Sequence, residues 1–393
     1  MMPDSSSRIH LAVALDGAGW HPAAWREPDA RPADLFGAGY WTDLVLEAER
    51  GALDFVTIED SLAIQSDDPF VPDHRVDRVR GRLDAVLIAA RIAPRTRRIG
   101  LVPTAVVTHT EPFHVSKSIA TLDYVSAGRA GVRVQIAGRP DVAAHFGRRE
   151  AAARSRADEY FAETADYVEV LRRLWDSWED DAEIRDAATG RFIDRDKLHY
   201  IDFSGRWFSV KGPSITPRPP QGQPIVAALG HGRAAHELIA GSADVGFVTP
   251  GDAAQAVAVV EEIRGLQHDA GRGSEPLHIF GDVVVFLDDS ASAAQARRRR
   301  LDDLAGAEYR SDAAVFAGTA AQLADLLTEW HGAGLTGFRL RPAALPHDLL
   351  QITEQLVPEL RRRGLFRDEY EADTLRGLLG LSHPANRYAR SSQ

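Results

Sequence analysis

Apolar residues follow two alternating patterns along this chain. Short continuous apolar runs, such as residues 9–15 and 55–58, alternate with longer stretches in which apolar residues recur every three or four positions. The continuous runs predict buried β-strands, and the spaced positions predict amphipathic helices. Strands that alternate with helices in this way are typical of parallel α/β folds.

The stretch from Glu111 to Gly138 contains one complete unit of this kind. Pro112 begins a helix, the turn at Ala127-Gly128 ends it, and a strand rich in β-branched residues follows. The apolar stripe of the helix consists of Val115, Ile119, Leu122 and Val125. We therefore expect a helix, a tight turn and a buried strand here.

Eight strands are predicted in all, each with an accompanying helix. Their approximate ranges are 9–15, 55–58, 99–107, 132–137, 224–229, 243–249, 278–286 and 337–340. This number favours a closed (β/α)8 TIM barrel, an α/β fold, over an open sheet. Because no linker divides the chain, we expect residues 1–393 to form one barrel domain.

Two segments fall outside the alternation. Residues 180–220 lose the helical periodicity, and short alternations such as Arg206 to Val210 predict hairpins, so we expect an insertion there. Residues 364–393 follow the last predicted helix, 346–363, and are expected to form a C-terminal extension. The longest helical pattern, 151–178, precedes the insertion.

The composition limits the partners and the location that we expect. With 46 Lys and Arg against 57 Asp and Glu, the net charge of −11 opposes non-specific binding to nucleic acid or anionic membranes. The run from Arg297 to Arg300 is predicted to be a solvated helix face. The absence of cysteine excludes disulfides and thiolate ligands. The N-terminal apolar run is too short for a signal peptide or a membrane span, so the cytoplasm is the expected location.

Several common site motifs are missing from the sequence. No GxGxxG motif opens a helix after the first strand, and no Walker motif, HExxH motif or paired metal-ligand spacing occurs. We therefore expect neither a dinucleotide-binding fold, nor a P-loop, nor a metal site.

Polar residues stand instead at the predicted carboxyl ends of the strands, where barrel enzymes place their sites. Asp60 follows the second strand, and Thr104 and Gln135 belong to the third and fourth. His109 and His145 lie in the loops that follow those two strands. These five residues are candidate site residues.

A glycine turn is a further candidate. Gly230, His231 and Gly232 follow a predicted strand and precede a helix that begins at Arg233. Backbone N–H groups and the helix dipole at such a turn favour a phosphate, and His231 and Arg233 would add positive charge.

Several segments together resemble the bacterial luciferase-like flavin-dependent monooxygenases. The matching segments are WR at 25–26, PFH at 112–114, LD at 122–123, GRAG at 128–131, LWDSWEDDA at 174–182, PPQG at 219–222 and TLRGLLGLSHP at 374–384. The last three are similar to the nitrilotriacetate and dibenzothiophene-sulfone monooxygenase subgroup, and the resemblance spans most of the chain.

The resemblance implies a two-component enzyme. A separate flavin reductase would supply reduced flavin mononucleotide (FMN), and oxygen would be used to oxygenate a small organic substrate. It also implies that Asp60, Thr104 and Gln135 contact the flavin and that the turn from Gly230 to Arg233 binds its phosphate. His109 or His145 would act as an acid or contact the substrate, and related barrels suggest a homodimer.

The sequence departs from the family pattern at four places. The usual Thr-x-Ser-Thr of the third strand is TAVV from Thr104, the Trp-Asn-x-Val-Thr after the fourth strand is VRVQI at 132–136, and the Arg-Tyr of the long helix is Tyr160-Phe161. The glycine turn also lacks the family's serine. These changes imply a flavin held by different contacts, with Gln135 in place of the lost amide.

Three alternatives remain open at this point. A deazaflavin (F420)-dependent oxidoreductase would use the same barrel for hydride transfer without oxygen. A flavin-free barrel acting as a binding or partner protein would suit the substitutions at Val106, Arg133 and Phe161. A glycosidase has the least support, because only Asp16 and Asp60 could form its acid pair.

Overall fold

The structure is a computed structural model that describes residues 8–66, 68, 71–147 and 157–389. Its strands are β1 (His10–Leu15), β2 (Phe55–Ile58), β3 (Gly100–Val106), β4 (Gly131–Gln135), β5 (Glu183–Asp186), β6 (Arg191–Ile193), β7 (Phe203–Ser204), β8 (Ser209–Val210), β9 (Ile225–Leu229), β10 (Val245–Val248), β11 (His278–Leu287), β12 (Ala314–Gly318) and β13 (Gly337–Pro342).

Helices cover the outside of the sheet. They are α1 (Ala38–Arg50), α2 (Ala85–Ile92), α3 (Pro112–Val125), α4 (Pro140–Phe146), α5 (Ala157–Asp176), α6 (Arg233–Ser242), α7 (Ala253–Asp269), α8 (Ala291–Ala305), α9 (Ala320–Gly332), α10 (His347–Gln351), α11 (Val357–Arg362) and α12 (Leu375–Leu378). A π-helical turn, Ile352–Leu356, joins α10 to α11. The start of the helix predicted from Ala151 lies outside the described residues.

Eight parallel strands close into a barrel. Their order is β10, β9, β4, β3, β2, β1, β13 and β11, and pairing of β10 with β11 completes the circle. These are the eight strands that the apolar runs predict, so the (β/α)8 barrel is confirmed. The carboxyl ends of all eight strands therefore surround one mouth.

Strand β12 was missed by the sequence analysis. Strand β11 is ten residues long, and β10 pairs with its first half, His278 to Gly281. Strand β12 pairs with its second half, Val283 to Leu287. The connection between α8 and β12 consequently reaches the level of the barrel mouth. The short sequence AVFAG, only partly buried, gave too weak a periodic signal.

The C-terminal extension closes the opposite end of the barrel. Leu375, Leu379 and Leu381 pack into one apolar cluster with the first residues of several strands, among them Phe55. Gly100 begins β3 without a side chain because a Cβ atom there would lie 2.5 Å from Leu375 Cδ1. The tail thus fills a space that the strands leave open.

The insertion after α5 contains the expected hairpins. Strands β5 and β6 pair antiparallel, as do β7 and β8. The backbone N–H of His199 donates to the carbonyl of Ser177 at 2.8 Å, and the side-chain amide of Asn386 donates to the carbonyl of Trp178 at 2.7 Å. The insertion is therefore held both by the end of α5 and by the C-terminal tail.

The arginine run on α8 is not the fully solvated face that the sequence predicts. Arg297 is buried, forms an ion pair with Asp348 and donates to the carbonyl of Leu287 at 3.0 Å. Arg300 pairs with Glu27 at 2.8 Å. Arg300 is nevertheless exposed, as the sequence predicts. The prediction was wrong for Arg297, because its partner Asp348 lies 51 residues away on an element that only the closed barrel brings next to α8.

Asp123 offers a test of how the barrel wall is held. Its buried carboxylate accepts from the backbone N–H of Ala130 at 3.1 Å and of Gln221 at 3.0 Å, and from the Gln221 amide at 2.6 Å. We expect Asp123→Ala to lower the free energy of unfolding by about 2–4 kcal/mol, because buried donors lose their acceptor. Urea unfolding checks this. As a control, Asp325→Ala, at an exposed carboxylate, should change the free energy of unfolding by less than about 1 kcal/mol.

Candidate functional site

Charged side chains fill the mouth half of the barrel interior. Arg339 and Arg341 of β13 and Asp282 of β11 are at most 1% exposed. Arg339 Nε donates to Asp282 Oδ1 at 2.9 Å, and Arg341 Nε donates to Asp282 Oδ2 at 2.9 Å. One buried carboxylate therefore accepts hydrogen bonds from two arginines.

The network continues towards β2 and β4. Arg339 Nη1 lies 3.4 Å from Glu59 Oε1, and Glu59 also pairs with Arg133. Arg133 Nε donates to Thr104 Oγ1 at 3.0 Å, and its Nη2 donates to Gln135 Oε1 at 2.7 Å. Two predicted flavin contacts are thus hydrogen-bonded to one buried guanidinium.

The network also continues towards the glycine turn. Arg341 Nη1 donates to Asp312 Oδ1 at 2.6 Å, and Asp312 Oδ2 lies 3.2 Å from His231 Nε2. Asp312 comes from the connection between α8 and β12. We call the six residues of this network the charged layer; they are Glu59, Arg133, Asp282, Asp312, Arg339 and Arg341.

The charged layer contains three arginines and three carboxylates, so its formal charges balance. Burial alone would raise the pKa of Asp282, but Arg339 and Arg341 lower it below its ordinary value. Burial lowers the pKa of Arg133 to about 10, which leaves it charged at neutral pH. Asp312 is partly exposed; each of the other charges is stable in the interior only while its partners remain.

The structure brings Asp60, Thr104 and Gln135 together. Gln135 Nε2 donates to the Asp60 carbonyl oxygen at 3.3 Å. The Asp60 carboxylate accepts from the N–H of Ser61 at 2.7 Å and of Ala85 at 2.9 Å, and burial raises its pKa. Because Thr104 Oγ1 accepts from Arg133, its own hydrogen can be donated elsewhere.

A cavity of about 530 Å³ lies beside these strand ends, and we call it the β3 cavity. Asp60, Thr104 and His109 line it, with Phe146, whose ring is stacked on His109 at a centroid distance of 5.4 Å. His145 does not line the cavity; it is exposed, and it lies in α4 and not in the loop that the sequence suggests.

The glycine turn is present, and glycine is needed at its two positions for different physical reasons. Gly232 has φ +91° and opens α6 without a side-chain cap, and a Cβ there would meet nothing within 4 Å. At Gly230 a Cβ would lie 2.8 Å from Ile239 Cδ1, so that glycine is required by packing. His231 Nδ1 lies 3.1 Å from Thr249 Oγ1, and Arg233 is exposed and pairs with Glu237.

The turn is connected to the other candidates only indirectly. It is not part of the lining of the β3 cavity. The link runs from His231 through the charged layer to Gln135 and Asp60. The predicted residues therefore face one mouth, but as two groups joined by ion pairs.

A second cavity, which we call the loop pocket, lies over β1 and was not predicted. It has a volume of about 410 Å³ and is formed by the loops after β1 and β2 and by the connection between α8 and β12. Hydrogen bonds tie these loops together. Trp25 Nε1 donates to the Asp77 carbonyl at 3.1 Å, and Arg26 donates to the Leu304 carbonyl at 2.9 Å.

A comparison with protein-family models identifies the family. The luciferase-like monooxygenase model matches residues 18–337, most of the chain. The chain belongs to the luciferase-like monooxygenase family. The resemblance noted in the sequence is thereby confirmed.

Individual relatives align with this chain along almost the whole length of both proteins. The chain is 32% identical to N-acetyl-S-(2-succino)cysteine monooxygenase of Bacillus subtilis (strain 168), with 99% of this chain and 100% of that protein covered. It is 30% identical to nitrilotriacetate monooxygenase component A of Aminobacter aminovorans, with the same coverage. The structure of an EDTA monooxygenase from Chelativorans sp. BNC1 superimposes with a TM-score of 0.82 at 23% identity, covering 96% of this chain and 99% of that one.

Among the residues that the structure describes, no group of three or more potential ligands is placed to hold a metal ion. In the same part of the chain, no helix combines the length and the apolar character that crossing a bilayer requires.

The sequence of β13 contains a pattern from which the charged layer could have been predicted. In β13, arginines alternate with apolar residues in the order Phe338, Arg339, Leu340 and Arg341. Alternation places both arginines on one face of a strand that is otherwise buried. Such a pattern predicts charges inside the barrel, although it does not tell which carboxylates balance them.

The charged layer predicts a large effect from one neutral substitution. We expect Asp282→Asn to lower the free energy of unfolding by about 3–5 kcal/mol, because two buried arginines lose their shared counter-charge. Thermal and urea unfolding measure it. Asp289→Asn, at an exposed position two residues past the same strand, is the matched control. Equal stability of both variants would show that the layer does not need the charge of Asp282.

Proposed function

We propose that this protein is the oxygenating component of a two-component flavin monooxygenase. It takes reduced FMN from a separate reductase and uses O2 to oxygenate a small organic substrate. The observation that carries this proposal is the cavity at the ends of β2 and β3, where Asp60, Thr104 and His109 come together. The relative named component A supports a partner protein.

The residues at the mouth are suited to hold FMN. The β3 cavity falls within the roughly 300–1,000 Å³ of typical cofactor sites. Thr104 offers a hydroxyl hydrogen and Asp60 a carboxyl group of raised pKa at its wall. For the phosphate, Gly232 leaves the backbone N–H groups of α6 accessible, and Arg233 and His231 stand beside them.

Reduced FMN, when bound, supplies the electrons that activate O2 for transfer of an oxygen atom to the substrate. The protein orients the flavin and the substrate, excludes water and supplies polar groups. Val106 and Phe146 give the cavity apolar walls that exclude water. Arg133, whose charge is balanced by Glu59, donates to Thr104 and Gln135 and so fixes the orientation of both side chains at the strand ends. His109 is placed to donate or accept a proton at the cavity wall.

Binding of FMN is the first test. We expect the full-length protein to bind reduced FMN with micromolar affinity, measured anaerobically by fluorescence or calorimetry. Thr104→Val should weaken binding about threefold to tenfold, because a neutral hydrogen bond of about 1 kcal/mol is lost. Thr121→Val, on the outer face of α3, should leave the affinity unchanged. No binding of either oxidised or reduced FMN would favour the partner-protein alternative.

The role of the glycine turn has its own test. Arg233→Ala should weaken FMN binding about fivefold to tenfold, because a charge beside the phosphate is removed. The same variant should bind riboflavin, which lacks the phosphate, as well as the original protein does. A parallel loss for both ligands would place the phosphate away from this turn.

The reaction class separates the monooxygenase from the deazaflavin alternative. With a general flavin reductase and NADH, a monooxygenase transfers one atom of labelled O2 to its product. An F420-dependent enzyme would instead reduce its substrate without O2. Cytoplasmic location, a homodimer and a single domain stay predictions.

A further inference from the structure

We infer that the loop pocket binds a carboxylate of the substrate, so that the oxygenated compound is an organic acid with an apolar part. The inference deepens the proposed monooxygenase function. The binding claim itself rests on the pocket alone.

Arginines dominate the charged groups of the loop pocket. Arg78, Arg80, Arg82 and Arg310 line it, against two carboxylates. The first three alternate in the segment RVRGR, which runs without helix or strand structure. Arg80 is balanced from outside the lining by Asp73. The lining thus concentrates guanidinium groups in a protein whose net charge is −11.

Both carboxylates of the lining already have partners. Asp16 accepts from Arg82 Nη2 at 2.6 Å and from its Nε at 3.2 Å, and Glu308 pairs with Arg298 at 3.1 Å. Arg310 is exposed and forms no ion pair with any residue in the described parts of the chain. An anion that enters the pocket can therefore form an ion pair with Arg310 without displacing a carboxylate.

The rest of the wall is uncharged and includes three large aromatic side chains. Trp20, Trp25 and Tyr309 line it. The ring N–H groups of the two tryptophans donate to carbonyls of Ala14 and Asp77, so these rings add apolar surface without free donors. His21 accepts from the N–H of Ala23 at Nδ1, so its Nε2 hydrogen points to Asp302 and the ring is neutral.

The loop pocket adjoins the mouth where oxygenation is proposed. Asp16 and Arg82 also line a narrow cleft with Glu59 of the charged layer. The Arg341 guanidinium lies 4.5 Å from the centre of the Trp20 ring. An acid held by its carboxylate in the loop pocket thus extends its apolar part beside the charged layer. A substrate without an anionic group would leave Arg310 without a counter-charge among the described residues.

Calorimetry on the full-length protein, with and without FMN, tests the inference. The probes are N-acetyl-S-(2-succino)cysteine, nitrilotriacetate and succinate, each beside its neutral methyl ester, with dibenzothiophene sulfone as an uncharged aromatic. We expect at least one acid to bind, to bind more weakly at high salt, and to bind at least tenfold more tightly than its ester.

The variant that reports on the pocket is Arg310→Gln, since Arg310 forms no ion pair within the part of the chain that the structure describes. It should weaken binding of that acid about fivefold to tenfold, whereas Arg299→Gln, at an exposed arginine outside the pocket, should leave it unchanged. Esters or the sulfone binding as tightly as the acids, no binding of any acid, or equal effects of the two variants would overturn the inference. Acid binding without FMN binding would keep it and refute the proposed cofactor.

Discussion

The balance of charge inside the barrel is the constraint on which the site depends. Three arginines enter the mouth half of the interior, where an unpaired charge is very costly. Glu59, Asp282 and Asp312 balance them. Because these carboxylates come from β2, β11 and the connection before β12, the balance holds only when the strands are closed in this order. The geometry of the mouth is therefore tied to the integrity of the barrel.

The two halves of the barrel interior are filled by different kinds of side chain. At the tail end, leucines of the C-terminal extension fill the space between aromatic side chains. At the mouth end, ion pairs leave polar groups next to the strand ends. The Arg339 guanidinium lies 4.0 Å from the centre of the Phe247 ring and marks the boundary between the two layers. The tail end of the interior is therefore apolar, and the polar groups gather at the mouth, which is the end where barrel enzymes generally place their sites.

The position of β12 determines what surrounds the mouth. Since β12 pairs with only the second half of β11, the chain before it passes over the mouth. There Asp312 reaches both Arg341 and His231. The same connection supplies Tyr309 and Arg310 to the loop pocket. One short strand thus links the glycine turn, the charged layer and the candidate substrate pocket.

The sequence by itself determined the eight barrel strands, the insertion, the tail and the polar strand ends, because the spacing of apolar residues is a local property that survives without the fold. It also grouped Asp60, Thr104 and Gln135 correctly at one mouth. Only the tertiary structure decided that Arg297 is buried, that Arg133 binds Thr104 and Gln135, and that RVRGR lines a pocket. These outcomes depend on contacts between residues that lie far apart in the sequence, and such residues become neighbours only when the barrel closes.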